Sequence, residues 1–259
     1  MSARGFGVAA GLDPAVAGPL AERCQALGFA SIWSNDTPVA SGLETLASFS
    51  DAAPEVELGV AALALDRHTP GEIGARVGEL GLDRDRLWVG VAAGHSKRPL
   101  TTMREALGPL REALPGIRIM LAAMGPKMCS LAGSSFDGAF FNWMTPDFAA
   151  KARQDVVAGA REAGREPPPI FGYVRTAVGP DAAERLAKEE SFYRDLHDGY
   201  RNHFDRLGAP EGTVGIAVAD RDAAQVELGA YEALDVVVVR GLASATTEAM
   251  TGLAAATAP

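Results

Sequence analysis

Short apolar runs alternate along this chain with longer stretches in which apolar residues recur every three or four positions. Residues 6–10 (FGVAA) read as a first strand. Asp13-Pro14 then cap a helix with Val16, Leu20, Cys24 and Leu27 on one face, and Gly28 is a suitable stop. A second strand covers Ser31 to Ser34, and a helix follows from about Leu43 to Ala52. The pattern repeats with strands at 56–65, 87–93, 117–123, 138–144, 170–178 and 235–239. Thr69-Pro70, Gly125-Pro126, Thr145-Pro146 and Pro180-Asp181 open helices between them, since proline loses nothing in a first helical turn. The segment 180–234 is less regular. Glu189 to Leu207 reads as extra helix, and TVGIAVAD (213–220) as a short extra strand or a loop.

Eight strands and eight helices in strict alternation predict a parallel α/β architecture. The strands are continuously apolar rather than alternating, which implies burial on both faces. A length of 259 residues matches the ~250 of one (β/α)8 barrel. With no linker or low-complexity tract, the expectation is a single TIM-barrel domain over residues 1–259. An open doubly wound sheet is the alternative, but no Gly-x-Gly-x-x-Gly opens the first helix.

Composition narrows the classes of function. A net charge of −9 without a basic tract argues against nucleic acid as a partner. The two cysteines, Cys24 and Cys129, lie in apolar helical patterns and lack the spacing of a zinc motif, so no metal is expected. The N-terminal segment is too weakly apolar for a signal sequence, and no uncharged run reaches the ~18 residues of a membrane span. These features predict a soluble, cytoplasmic protein.

In a parallel barrel, chemistry belongs at the C-terminal ends of the strands. The candidates there include Asp36, Arg67, His68, Gly94 through Arg98, Gly125 through Met128, Asn142, Trp143, Arg175 and Arg240. Asp36 reads equally as a turn residue before Thr37-Pro38, and His68 reads first as a solvated residue at a helix start. Lys97, Arg98, Lys127, Arg175 and Arg240 would form a positive rim able to attract phosphate or carboxylate. Ala123-Met124-Gly125-Pro126-Lys127 places a small-residue turn and a helix N-terminus directly after the fifth strand. That arrangement suits an anion, because free N–H groups face it and Gly allows close approach. An ordinary strand-to-helix turn would look the same. Neither a serine nucleophile elbow nor HExxH is present.

Several blocks resemble the luciferase-like (bacterial luciferase) superfamily, in particular its coenzyme F420-dependent branch with the methylenetetrahydromethanopterin reductases. They are AERCQALGFASIWSND (21–36), LALDRHTPGEIGARVGELGL (63–82), LDRDRLWVGVAAG (82–94) and RPLTTMREALGPLREALP (98–115). The most specific is IRIMLAAMGPKMCSLAGSSFDGAFFNWMTPDFA (117–149), and GTVGIAVAD and LDVVVVRGLA resemble the closing unit. The resemblance implies an oxidoreductase that exchanges hydride between F420 and a small organic substrate. An FMN-dependent monooxygenase and a non-catalytic cofactor-binding barrel are the alternatives.

It further implies a phosphate site at Gly125, Pro126, Lys127 and Met128, flanked by Ala122 and Ala123, and a place beside the cofactor for Gly94. A non-prolyl cis peptide supporting the ring would fall among Val60, Ala61 and Ala62. Family members often carry an acidic residue followed by His after strand two. Here Thr37 follows Asp36, which leaves Asp36 and His95 as the candidate catalytic residues. A homodimer is also implied.

Overall fold

A computed structural model describes residues 2–259. Nine strands occur among them: β1 (Ala3–Val8), β2 (Ser31–Ser34), β3 (Glu57–Ala64), β4 (Leu87–Ala92), β5 (Arg118–Ala122), β6 (Gly138–Asn142), β7 (Ile170–Val178), β8 (Ile216–Val218) and β9 (Val236–Gly241). Ten α-helices accompany them: α1 (Pro14–Ala26), α2 (Gly42–Ser50), α3 (Pro70–Glu79), α4 (Pro99–Ala113), α5 (Pro126–Ser135), α6 (Pro146–Glu162), α7 (Ala182–Leu196), α8 (Asp198–Leu207), α9 (Arg221–Gly229) and α10 (Thr247–Thr257).

All strand pairs are parallel. β1 through β7 follow in sequence, and β9 lies between β7 and β1, closing an eight-stranded barrel. The expected TIM barrel is therefore the fold. Its alternation is not strict, because β8, α8 and α9 are added between β7 and β9. β7 runs for nine residues: its first four pair with β6 and its last three with β8. The extra strand thus extends the wall on the overhang that β6 leaves uncovered.

The first strand begins earlier than the run 6–10 suggests. Ala9 and Ala10 already belong to the turn, where Ala10 N–H donates to Asn35 Oδ1 (2.8 Å) and Gly11 N–H to Thr45 Oγ1 (2.9 Å). β9 likewise runs two residues past the expected end at 239. Helix starts follow the signals in the chain. Asp13 caps α1, Thr145 caps α6, and Thr69 with Glu72 forms a reciprocal capping box on α3.

Period-two geometry divides each strand between two cores. Outward-facing residues such as Phe6, Ile32, Val89, Leu121 and Val239 pack beneath the helices. Inward-facing Trp33, Trp88, Met120, Phe140, Phe171 and Tyr173 fill the lumen, with ring centroids 4.7–5.2 Å apart in tilted and edge-on pairs. Gly59 is required here, since a Cβ would enter the Trp33 indole. The N-terminal end is sealed by Arg118 paired with Glu57, which also accepts from Trp88 Nε1 at 2.9 Å. The lumen is a packed floor for whatever sits at the opposite end.

Candidate active site

Above the aromatic layer, the inward-facing positions change character around the mouth. On β3, β4 and β5 they are small and apolar: Ala61, Ala92 and Ala122. On β6, β7 and β9 they are Asn142, Arg175 and Arg240. The mouth therefore has an alanine side and a cationic side.

On the alanine side, the Ala61–Ala62 peptide is cis, within the expected window of Val60, Ala61 and Ala62. The β3–β4 register slips between Val60 and Leu63, so two β3 residues oppose Gly90 alone. Gly90 permits this, because a Cβ there would crowd the Val60 carbonyl and the Ala61 side chain. Ala62 is half-buried.

Asp36 follows β2, with its side chain only 2% exposed. It accepts the Gly42 N–H (3.0 Å), Arg67 Nη2 (2.7 Å) and His68 Nε2 (2.9 Å). The carboxylate therefore ties the β2–α2 loop to the β3–α3 loop and holds an imidazole at the mouth. His68 is 33% exposed, so it is a positioned group rather than a freely solvated one. Its partner lies 32 residues earlier in the chain, beyond the reach of local pattern.

His95 belongs to a second pair. Its N–H and its ring Nδ1 both lie 2.9 Å from Asp66 Oδ2. Burial raises the Asp66 pKa, but the hydrogen bonds from His95 outweigh that and hold it below its ordinary value. Gly94 turns here at φ +59°, and a Cβ would run into the Asp66 carboxylate. The His95 side chain is 74% exposed and lies edge-on to His197, with centroids 5.5 Å apart. Asp36 and His95 are thus not brought together: each has its own partner.

After β5, Ala122 faces the mouth, half-buried, while Ala123 is buried in the wall and donates to Phe140 O at 2.9 Å. Gly125 caps α5 without any side-chain cap bond, as is also the case at α4 and α7 and in contrast to α1, α2, α3 and α6. Met128 N–H is engaged with Gly125 O at 3.0 Å, and Pro126 has no N–H to give. Lys127 is exposed at this terminus, and Arg206 of α8 lies 4.0 Å from the position of a Gly125 Cβ. The anion-binding features are thus an uncapped helix start, a close-approach glycine and two cations, one of which no local pattern indicated.

The cationic side differs from the rim read in the sequence. Arg175 is 2% exposed and Arg240 6%. Because β9 extends to Gly241, the two are direct cross-strand partners facing the lumen. Lys97, Arg98 and Lys127 remain on the surface. Over Arg175 lie Trp143 (4.2 Å to the ring) and Tyr193 of α7 (4.9 Å). Arg175 also donates to Asn142 Oδ1, and Asn142 Nδ2 donates to Tyr200 Oη at 3.1 Å. His203 of α8 donates from Nε2 to Trp143 O at 2.6 Å. The α7–α8 hairpin therefore covers this half of the mouth. A cavity of about 150 Å³, lined by Arg240, Gly241, Gly11 and Met250 among others, lies at the ends of β1 and β9. Among the described residues no cluster of His, Cys, Asp and Glu is arranged for a metal, and no helix is long and apolar enough to cross a membrane.

Residues 97–250, more than half of the chain, match the family described as luciferase-like monooxygenase. The chain belongs to this luciferase-like family of F420- or flavin-dependent oxidoreductases and monooxygenases. It is 31% identical over 114 residues to a 5,10-methylenetetrahydromethanopterin reductase of Methanolobus tindarius; the match covers 34% of this chain and 35% of that protein. Among solved structures, an F420-dependent secondary alcohol dehydrogenase in complex with an F420–acetone adduct aligns with a TM-score of 0.78 at 16% identity, covering 99% of both chains. The F420-dependent tetrahydromethanopterin reductase of Methanopyrus kandleri aligns at 0.74 and 17%, covering 97% of both. The fold extends to flavin enzymes: the oxygenating constituent of 3,6-diketocamphane monooxygenase of Pseudomonas putida, in complex with FMN, aligns at 0.67 and 13%, covering 100% of this chain and 99% of that one. At such identities the structural likeness establishes the fold alone.

Proposed function

We propose that this protein exchanges hydride between coenzyme F420 and a small organic substrate at the C-terminal mouth of the barrel. The observation that carries the reading is the juxtaposition of a flat alanine floor with an uncapped helix start. Ala61, Ala62, Ala92 and Ala122 put only methyl side chains beside a planar ring, and the α5 N-terminus on the neighbouring strand end offers Gly125, Lys127 and Arg206 to a phosphate. Gly94 holds the loop at the end of β4 against Asp66, beside that floor. F420 is favoured over FMN by the 31% identity to a methylenetetrahydromethanopterin reductase and by the RPLTTMREAL and GPKM segments.

When bound, the deazaflavin supplies the redox chemistry, and the protein contributes orientation, charge and exclusion of water. Of His68 and His95, His68 is the better-placed proton donor. A buried carboxylate fixes its orientation, while His95 stands mostly in solvent. Asp36 is then the positioning residue. The same proposal carries a homodimer, for which light scattering on the eluting protein should give twice the chain mass.

The alternative is an FMN-dependent monooxygenase on the same floor. Equilibrium titration with F420 and FMN separates the two. Tighter F420 binding, weakened in Lys127→Ala by ~1.5–3 kcal/mol as for a hydrogen bond to a charged group, is the expected result. Tighter FMN binding would reverse the assignment. Binding of neither would point to a barrel without turnover.

A further inference from the structure

Four polar side-chain atoms near the mouth are buried without a hydrogen-bond partner: Trp143 Nε1, Tyr173 Oη, Arg175 Nε and Arg240 Nε. Three of them can only donate. Trp143 directly follows β6, Tyr173 and Arg175 lie in β7 and Arg240 in β9, three successive strands of the ring. A partnerless arginine Nε is not unusual by itself, for Arg4 and Arg185 also have one. All four arginines donate to oxygens of the chain from their terminal nitrogens, Arg240 to Gly241 O at 3.0 Å among them; what sets Arg175 and Arg240 apart is that they are cross-strand partners.

Charge separates the lumen pair from the rest. Arg175 and Arg240 are paired residues of adjacent parallel strands, where neighbouring backbones run about 4.8 Å apart. Neither has a carboxylate within 4.0 Å among the described residues, although twelve other ion pairs occur in the molecule. Two like charges side by side, both buried, are costly unless an anion joins them. Stacking on Trp143 and Tyr193 stabilises the charge of Arg175 through the ring faces, yet leaves its in-plane Nε–H without an acceptor. The Tyr173 hydroxyl feels both cations: burial drives its pKa up, and Arg240 and Arg175 pull against that. What the cluster lacks is an acceptor-rich, negatively charged group. Arg240, alone of the four residues, also lines the small cavity at the ends of β1 and β9.

We propose that Arg175 and Arg240, with Tyr173 and Trp143, bind an oxyanion of the substrate, a carboxylate or a phosphate. The site is distinct from the α5 terminus: β5 is two strands from β7 and three from β9, roughly 10–15 Å around the wall. That the anion belongs to a substrate rests on the oxidoreductase reading; the anion site itself stands on the partnerless donors. The consequence is a substrate class of small organic acids or phosphate esters, anchored by its charge while the reacting carbon lies toward the alanine floor.

The test uses protein labelled with ¹⁵N at arginine, in which buried Nε–H resonances are observed directly. Arg175→Lys and Arg240→Lys assign the two signals, and Arg240→Gln serves if a change at Arg175 prevents folding. Inorganic phosphate and acetate are titrated at constant ionic strength, with chloride as control. The expected result is a saturable shift of both resonances with at least one oxyanion and none with chloride. Binding should weaken at least tenfold in Arg240→Gln and stay unchanged in Lys127→Ala. Absence of a saturable shift, an equal response to chloride, or unaltered binding in Arg240→Gln would overturn the site. If F420 alone shifted both resonances and excluded phosphate, the site would belong to the coenzyme and the substrate assignment would fall. Failure of F420 to bind at all would defeat the cofactor reading while leaving the oxyanion result to stand.

Discussion

The cover over the mouth carries its own pH dependence, centred on His203. This residue is fully buried in α8. Its Nε2 donates to Trp143 O at 2.6 Å, and Nδ1 faces Arg206 Nη2 at 3.2 Å. The tautomer is thereby fixed: Nε2 holds the proton, and Nδ1 accepts from a cation. A second proton on Nδ1 would be buried and set against Arg206. Burial accordingly lowers the His203 pKa from 6.5 to about 4, with Arg206 adding to the effect and the carbonyl bonds opposing it. A histidine whose folded pKa is depressed binds its proton more readily when unfolded. It therefore costs no stability above pH 6.5 and costs progressively more as pH falls from 6.5 towards 4. Linkage gives a loss of about 1 kcal/mol between pH 7.5 and 5.5, approaching about 3 kcal/mol near pH 4.

Urea unfolding at pH 7.5 and 5.5, compared between wild type and His203→Gln, isolates this contribution from the many carboxylates that titrate in both proteins. Wild type should lose about 1 kcal/mol more than the variant over that interval. Equal losses in the two proteins, or a larger loss in the variant, would refute the assignment of His203 as a buried neutral imidazole.

Two glycines in helices make opposite predictions. At Gly133 a Cβ would enter the Val156 carbonyl where α5 crosses α6, so Gly133→Ala should destabilise by about 1–3 kcal/mol, as overpacking does. Gly108 in α4 has nothing within 4 Å, so Gly108→Ala should stabilise by about 0.5–1 kcal/mol. Thermal or urea unfolding reads both, and the same sign for the two would contradict the packing account. Asp36→Asn keeps an acceptor for Gly42 N–H but removes the charge from Arg67 and His68. It should cost about 1–3 kcal/mol, and any turnover should fall by a similar factor in Asp36→Asn and His68→Asn, with a smaller effect from His95→Asn. A larger loss from His95→Asn would move the proton donor to the β4 loop.

The barrel was legible in the sequence because its strands are continuously apolar and its helices open on Pro, Asp or Thr. The turn after β5 was legible too, since Gly125-Pro126 directly follows an apolar run. The other half of the site was legible as a set of residues, Asn142, Trp143, Arg175 and Arg240, but not in its burial and pairing. Arg240 falls one residue beyond where its apolar run stops, and only the pairing of β9 with β7 shows that the strand continues and turns that side chain inward. The bonds from Asp36 to His68 and from His203 to Trp143 join residues 32 and 60 positions apart. Helical periodicity placed extra helix before residue 207. Where that helix lies, and that it brings Arg206 to Gly125, depends on tertiary packing alone.

The central claim is that the mouth holds a deazaflavin with its phosphate on the α5 N-terminus and its ring over Ala61 and Ala62. A crystal structure of the protein grown with F420 tests this most directly. Phosphate density is expected against Gly125 and Lys127, with the ring on the alanine side of the mouth and Arg175 and Arg240 free of the coenzyme. Phosphate density between Arg175 and Arg240, or a ring seated away from Ala61 and Ala62, would contradict it.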